Sequence, residues 1–216
     1  MGVNKLIRYF VLADLLLLGS WGLIAPIFAV FIVEKIVGAT LVTVGMATAI
    51  GWLSRSIIQV PMGNFLDRRR GEKDDFYSLI LSLGLASLTA FALAVVETVN
   101  QLYLVLAVHG VAFGIYTTAW TSIFSRHLDR ARPAFDWALD RTAVGVAIAV
   151  SGLLGGIVAS YFGFAFTFLV VGTLSFLTMG IILMVPSLIL PPPKRRGASE
   201  GELEIHQRHT PRSTNV

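Results

Sequence analysis

The chain has 216 residues, a net charge of +4, and 55% hydrophobic against 14% charged side chains, with a mean hydropathy of +0.75. A soluble domain of this size leaves too much of its surface in water to hide that much apolar side chain, so composition excludes a soluble fold and points to membrane helices. The basic excess falls in the polar connections, which suits orientation in a membrane rather than nucleic-acid binding. With no cysteine, disulfides, thiolate metal sites and cysteine nucleophiles are excluded.

The first apolar run, Leu6 to Val33, is interrupted only by Asp14 and a central Pro26. It is too long for the apolar core of a signal peptide and reads as a span. A polar Glu34-Lys35 turn follows. The second run, Thr40 to Leu66, carries Arg55, and the third covers Phe76 to Val96. The fourth covers Gln101 to Phe124, and a basic connection, Ser125 to Ala138, leads to a fifth at Leu139–Tyr161 and a sixth at Gly163–Leu190. The expected fold is an all-α membrane protein of six transmembrane helices over residues 1–190. Pro191-Pro192-Pro193 stops any helix, and residues 191–216 read as a disordered basic cytoplasmic tail. His206 and His209 in that tail are read as solvated, and no metal or cofactor is expected.

If the spans alternate, Lys5, Arg8, Arg68, Arg69, Arg70, Lys73, Arg126, Arg130, Arg132, Arg141, Lys194, Arg195 and Arg196 fall on one side. The other side holds essentially Lys35. The positive-inside rule then makes both termini cytoplasmic in a multi-pass protein of the cell membrane.

Ionisable groups in hydrocarbon are costly, so each is a functional candidate. Asp14 and Arg55 lie at depths that differ by about 6 Å, a gap an arginine side chain spans, so the two are expected to pair. The pair is either a lock between helices or part of transport. Arg55 shares a helix face with Thr48, Trp52 and Gln59, and His109, Phe113, Tyr116, Thr117 and Trp120 share another. With Trp21 of the first span, these mid-membrane polar and aromatic groups are candidates to line a small-molecule cavity. Packing accounts for each of them singly. An unpaired Arg55 would favour an anionic group on the solute. In the fifth span Thr142, Gly145, Ala149, Gly152, Gly156 and Ala159 form a small-residue stripe, read as a close-packing face.

Between the second and third spans stands Gly63-x-x-x-Asp67-Arg68-x-x-Gly71-x-Lys73. This resembles the loop signature of the major facilitator superfamily, Gly-x-Leu-Ala-Asp-Arg-x-Gly-Arg-Arg, with one residue inserted before Gly71 and Glu72 in place of a basic residue. His109-Gly110-x-x-x-Gly114 and Gly152-Leu153-Leu154-Gly155-Gly156 look similar to the family's fourth and fifth spans. Leu106 and His109 stand where members often carry an arginine and a glutamine, and Ser151-Gly152 stands where antiporters carry Gly-Pro.

The resemblance implies one half of the family's fold, built as two inverted three-helix repeats. It also implies a secondary transporter of a small solute working by alternating access, not an enzyme. Six spans supply half of the usual twelve, so a homodimer is expected to rebuild the whole. Gly63, Asp67, Arg68, Gly71 and Lys73 would then form a gating loop. In it, Asp67 of one copy would meet the start of the fifth span near Arg141 of the other. The partners implied are a small-molecule substrate, the lipid membrane and a second copy, without nucleic acid. A non-transporting membrane subunit or assembly factor is the competing reading. An intramembrane hydrolase is more remote, because Ala149 stands where a rhomboid-type Ser151 motif needs glycine and His109 precedes the serine.

Overall fold

In the computed structural model, which describes residues 5–68, 72–129 and 131–184, Pro26 splits the first apolar run. Helix α1 covers Lys5–Gly22 and α2 covers Phe28–Lys35. Proline has no N–H to offer the Gly22 carbonyl, and the Ile27 N–H bonds the Ile24 carbonyl at 3.1 Å. The expected single span is therefore a helix, a turn at 23–27 and a short second helix.

The remaining helices are α3 (Leu41–Arg68), α4 (Lys73–Leu93), α5 (Val99–Arg126) and α6 (Pro133–Leu183). Thr98 starts α5 with a capping box, its hydroxyl taking the Gln101 N–H while the Gln101 side chain takes the Thr98 N–H. Pro133 occupies the first turn of α6, where its missing N–H costs nothing. Helix α6 has 51 residues. Straight, it would run about 77 Å, more than twice a bilayer core. It breaks at Gly163, whose φ of 83° suits glycine, and this is where the sequence divides the fifth and sixth spans. The six helices are thus not the six expected spans one for one: the first span is two helices and the last two are one broken element.

Two apolar clusters mark the ends of the bundle. One gathers Phe10, Leu66, Leu83, Phe124 and Ile182, with Trp137 against them. The other gathers Phe31, Ala47, Leu93, Leu102 and Phe168. The chain passes between them repeatedly, and the two limbs of α6 run in opposite directions. Limb 133–162 packs on α1, with Ala147 beside Gly19 and Gly155 against the Leu23 backbone. Limb 164–183 packs on α4, where the Gly172 carbonyl accepts from the Ser87 hydroxyl at 2.8 Å. Helix α5 is clasped by α3 and α4.

Helices α3, α4, α5 and α6 are long and apolar enough to cross a membrane. Their outward faces carry Leu41, Leu53, Ile57, Val60, Leu104 and Leu153, all exposed and all suited to lipid. The small-residue stripe does not do what the sequence led us to expect. Gly145 and Gly156 face open space, and the close contact falls instead on Gly155.

Candidate functional site

The break in the first span opens a cavity. Its volume is about 350 Å³, and its walls come from Trp21, Ile24, Ala25 and Phe28 around the break, from Ala47 to Arg55 on α3, from Leu93 on α4 and from Leu106 to Phe113 on α5. The backbones of α3 and α5 meet closely beside it, because a Cβ on Gly110 would strike the Gly51 carbonyl and a Cβ on Gly114 the Arg55 backbone. These two glycines bring Arg55 against α5.

Arg55 is half-buried. One guanidinium nitrogen donates to the Thr117 hydroxyl at 2.7 Å, and the guanidinium lies 5.1 Å from the centre of the Trp52 ring. No carboxylate among the described residues forms an ion pair with it. Trp21 lines the cavity as well. Its ring lies 4.2 Å from that of His109 and 5.4 Å from that of Phe113, edge-on to the latter. The Trp21 indole N–H is buried without a hydrogen-bond partner. His109 Nδ1 is 3.5 Å from the Thr89 hydroxyl, which already donates to the Ala86 carbonyl, so the ring is the donor in that contact.

Of the candidates read from sequence, Trp21, Trp52, Arg55, His109 and Phe113 line this cavity. Gln59 does not. It lines a second, more polar groove of about 400 Å³ between α3 and α5, with Gly63, Asp67, Thr121 and Arg126. Trp120 is core, stacked on Phe124 at 4.4 Å and packed against Trp137 at 5.9 Å. The expected Asp14–Arg55 pair is not formed. Asp14 is 3% exposed and accepts a 2.7 Å hydrogen bond from the Tyr116 hydroxyl. Tyr116 and Thr117 are neighbours on α5 and point to different sides of it, so the helix separates the two charges.

A second buried acid joins Asp14. Asp140, on the first limb of α6, is fully buried and interacts with Asp14. Arg141 Nε is 3.9 Å from it, while most of the Arg141 side chain is exposed against Trp137. The sequence reading missed Asp140, which it placed at the start of the fifth span, because Arg141 beside it was counted with the basic side chains of the cytoplasmic side. Missed too were Ile24, Ala25 and Phe28, for which Pro26 was the available signal.

At the basic end, Arg126 holds the buried Asp75 at 2.8 Å and His127 lies 3.7 Å from Glu72. Burial pushes the Glu72 carboxyl above its ordinary range; His127 and Arg126 pull it back and Asp75 adds to the rise. Asp67 and Arg68 end α3 exposed, and Lys73 begins α4 exposed. Gly71, with Arg69, Arg70 and Arg130, lies outside the described residues, as does the 191–216 tail.

The comparisons with known proteins agree with this arrangement. The chain is 24% identical over 163 residues to the proton-coupled antiporter flippase LtaA of Staphylococcus haemolyticus (strain JCSC1435), a match covering 74% of this chain and 40% of that protein. Its fold is similar to the POT family transporter PepTSo, with a TM-score of 0.73 at 13% identity, over 88% of this chain and 39% of that one. The chain thus spans about 40% of the length of these relatives. The Major Facilitator Superfamily model matches residues 10–214, and the chain belongs to that superfamily.

Proposed function

We propose that this chain is one six-span half of a secondary transporter that moves a small solute by alternating access, with a second copy supplying the other half. The observation that carries the reading is the cavity. It opens at the break in the first span, holds a mid-helix arginine without an acid partner and is walled by aromatics. A bundle that only had to be stable would fill that space. The assignment to the family supports a secondary transporter.

The basic side chains Arg8, Arg68, Lys73, Arg126, Arg132 and Arg141 gather at one end, with Lys35 at the other. This supports six crossings of the cell membrane with both termini cytoplasmic. The two inverted three-helix repeats belong to the same reading. So does the gating loop, with Asp67 of one copy meeting Arg141 of the other; both are exposed.

Coupling to protons is the energy source we favour. A relative of this chain is named as proton-coupled. Two buried acids, Asp14 with the Tyr116 hydroxyl on it and Asp140 beside Arg141, supply ionisable groups for such coupling. The test joins two measurements. Oligomeric state in a mild detergent should be a dimer, and reconstituted protein should show solute flux driven by a pH gradient. Asp14→Asn should abolish the gradient dependence. A strict monomer that binds solute and moves none sinks the reading of a homodimeric transporter.

A further inference from the structure

We infer that the Arg55 cavity takes an amphipathic organic anion: an apolar body, aromatic or short-chain, carrying one carboxylate, sulfonate or phosphate. The inference rests on the cavity being a solute site and names the chemistry it selects.

Charge comes first. Among the described residues that line the cavity, Arg55 is the one Lys or Arg, and none is Asp or Glu. Its guanidinium has five N–H donors, of which the structure shows one engaged, with Thr117. Asp14, the nearest acid expected from sequence, is turned away toward Tyr116. An arginine held at mid-membrane without a counter-ion is expensive, and an incoming anion offsets that cost where a neutral or cationic solute does not.

Trp21 lines the same cavity, and its buried indole N–H has no hydrogen-bond partner. Thr48, also on the wall, commits its hydroxyl to the Val44 carbonyl. The guanidinium is therefore the group left to meet a charged solute, and it meets one that accepts hydrogen bonds, as an ionised acid does.

The remaining walls set the body of the solute. Ile24, Phe28, Leu93, Leu106 and Phe113 are apolar, and Trp52 lays its ring beside the guanidinium. A small hydrated anion such as sulfate would have to surrender its water to these surfaces with little return. An anion with an apolar body gains there. The volume of about 350 Å³ sits near the lower end of the range usual for small-molecule pockets, about 300–1,000 Å³, so this half alone holds a modest body.

The experiment uses the full chain in nanodiscs of neutral phosphatidylcholine, with empty nanodiscs as the blank. Binding is read by quenching of tryptophan fluorescence. Three probes share one ring system: naphthalene-2-sulfonate, 2-naphthalenemethanol and 2-naphthylmethylammonium; inorganic sulfate is the fourth. The sulfonate should bind at least about tenfold tighter than the alcohol, the worth of one charge-assisted hydrogen bond. The ammonium should bind more weakly than the alcohol, and sulfate should not compete at the concentration that saturates the sulfonate. Arg55→Gln should bring the sulfonate level with the alcohol, and a melting temperature close to the parent's shows that the variant is folded. Arg55→Lys should keep part of the preference.

Equal affinities for the three ring probes in the parent protein overturn the inference. So does an anion preference that survives Arg55→Gln, or sulfate binding as tightly as the sulfonate. Because the assay needs neither flux nor a dimer, its failure is separable from that of the transport reading. Selective anion binding without transport leaves this assignment standing and removes the other.

Discussion

Helices α3 and α4 are both long apolar segments of the same bundle, yet they are built for different tasks. Helix α4 buries a face on α5 and another on α6, and among its buried residues are Ser82, Ser87 and Thr89. Each of these hydroxyls is satisfied, two by carbonyls of the same helix and Ser87 by the Gly172 carbonyl of α6. Helix α3 buries only Thr43, Ala47 and Leu66. It touches the rest of the bundle mainly along α5 and leaves Leu53, Ile57 and Val60 outward. Its one mid-helix charge is the arginine of the cavity. The lesson is that the buried hydroxyls of α4 are closed and structural, whereas Arg55 on α3 is open and available. Substitutions in these helices and at their contacts test that division.

The largest effect should come from the seam that joins α3 to the bundle. Gly110→Leu forces side-chain atoms into the Gly51 carbonyl and Ser54. Thermal unfolding in detergent should show a loss of about 3 kcal/mol or more, or no folded protein at all. Gly156→Leu, which faces open space, should be nearly silent by the same measurement.

Next is the closed ion pair beneath α4. Asp75→Ala leaves Arg126 without its 2.8 Å partner. About a third of the Arg126 side chain reaches solvent, so we expect a loss near 1–2 kcal/mol rather than the full cost of a buried orphan. If Asp75→Ala and Arg55→Gln cost the same, the contrast between closed and open charges fails.

A smaller effect concerns pH. Burial raises the Glu72 carboxyl above its ordinary 4.5, so the folded protein holds that proton to higher pH than the unfolded chain does. Its stabilising contribution is complete below the unfolded value and is lost as pH rises through the folded one. Glu72→Gln should flatten the melting profile in the window that opens at the unfolded value of 4.5 and extends upward from it, the side to which the shift points. An unchanged slope would show that Glu72 stays solvated.

The smallest change in stability should accompany the largest in function. Arg55→Gln removes one hydrogen bond, to Thr117, and relieves a buried charge, so the melting temperature should move little. Flux should collapse. For the loop, charge reversal at Asp67 and at Arg141 should each reduce flux without unfolding the protein, and the double reversal should restore it. No recovery in the double variant would sever the proposed link between copies.

Much of this was legible in the sequence along the membrane normal and little around each helix. The four long apolar helices, the gathering of basic side chains and the turn at Gly163 follow from hydropathy and charge, which report position along the helices. Facing does not follow, because lipid and protein interior are both apolar and leave almost no amphipathic period to read. Asp14 and Arg55 were rightly placed at similar depths and wrongly paired, since α5 stands between them. Of the expected stripe, Gly145 and Gly156 face open space and Gly152 just reaches the Gly22 carbonyl; the close contact lies at Gly155. Asp140 was hidden for a related reason. Its neighbour Arg141 marked the segment as surface, and only the fold shows that adjacent residues of a helix face opposite media.

The broken first span carries a further consequence. Pro26 withholds the donor that the Gly22 carbonyl would take in an unbroken helix, and the next carbonyl, of Leu23, lies where the Gly155 Cα passes with no side chain between. In lipid no water comes to a freed carbonyl, and a Cα–H contact is among the few remaining sources of relief. The proline and the glycine are therefore one joint made from two distant parts of the chain. Restoring the backbone ladder with Pro26→Ala should loosen the demand for glycine at position 155, so the two sites are expected to vary together across related chains.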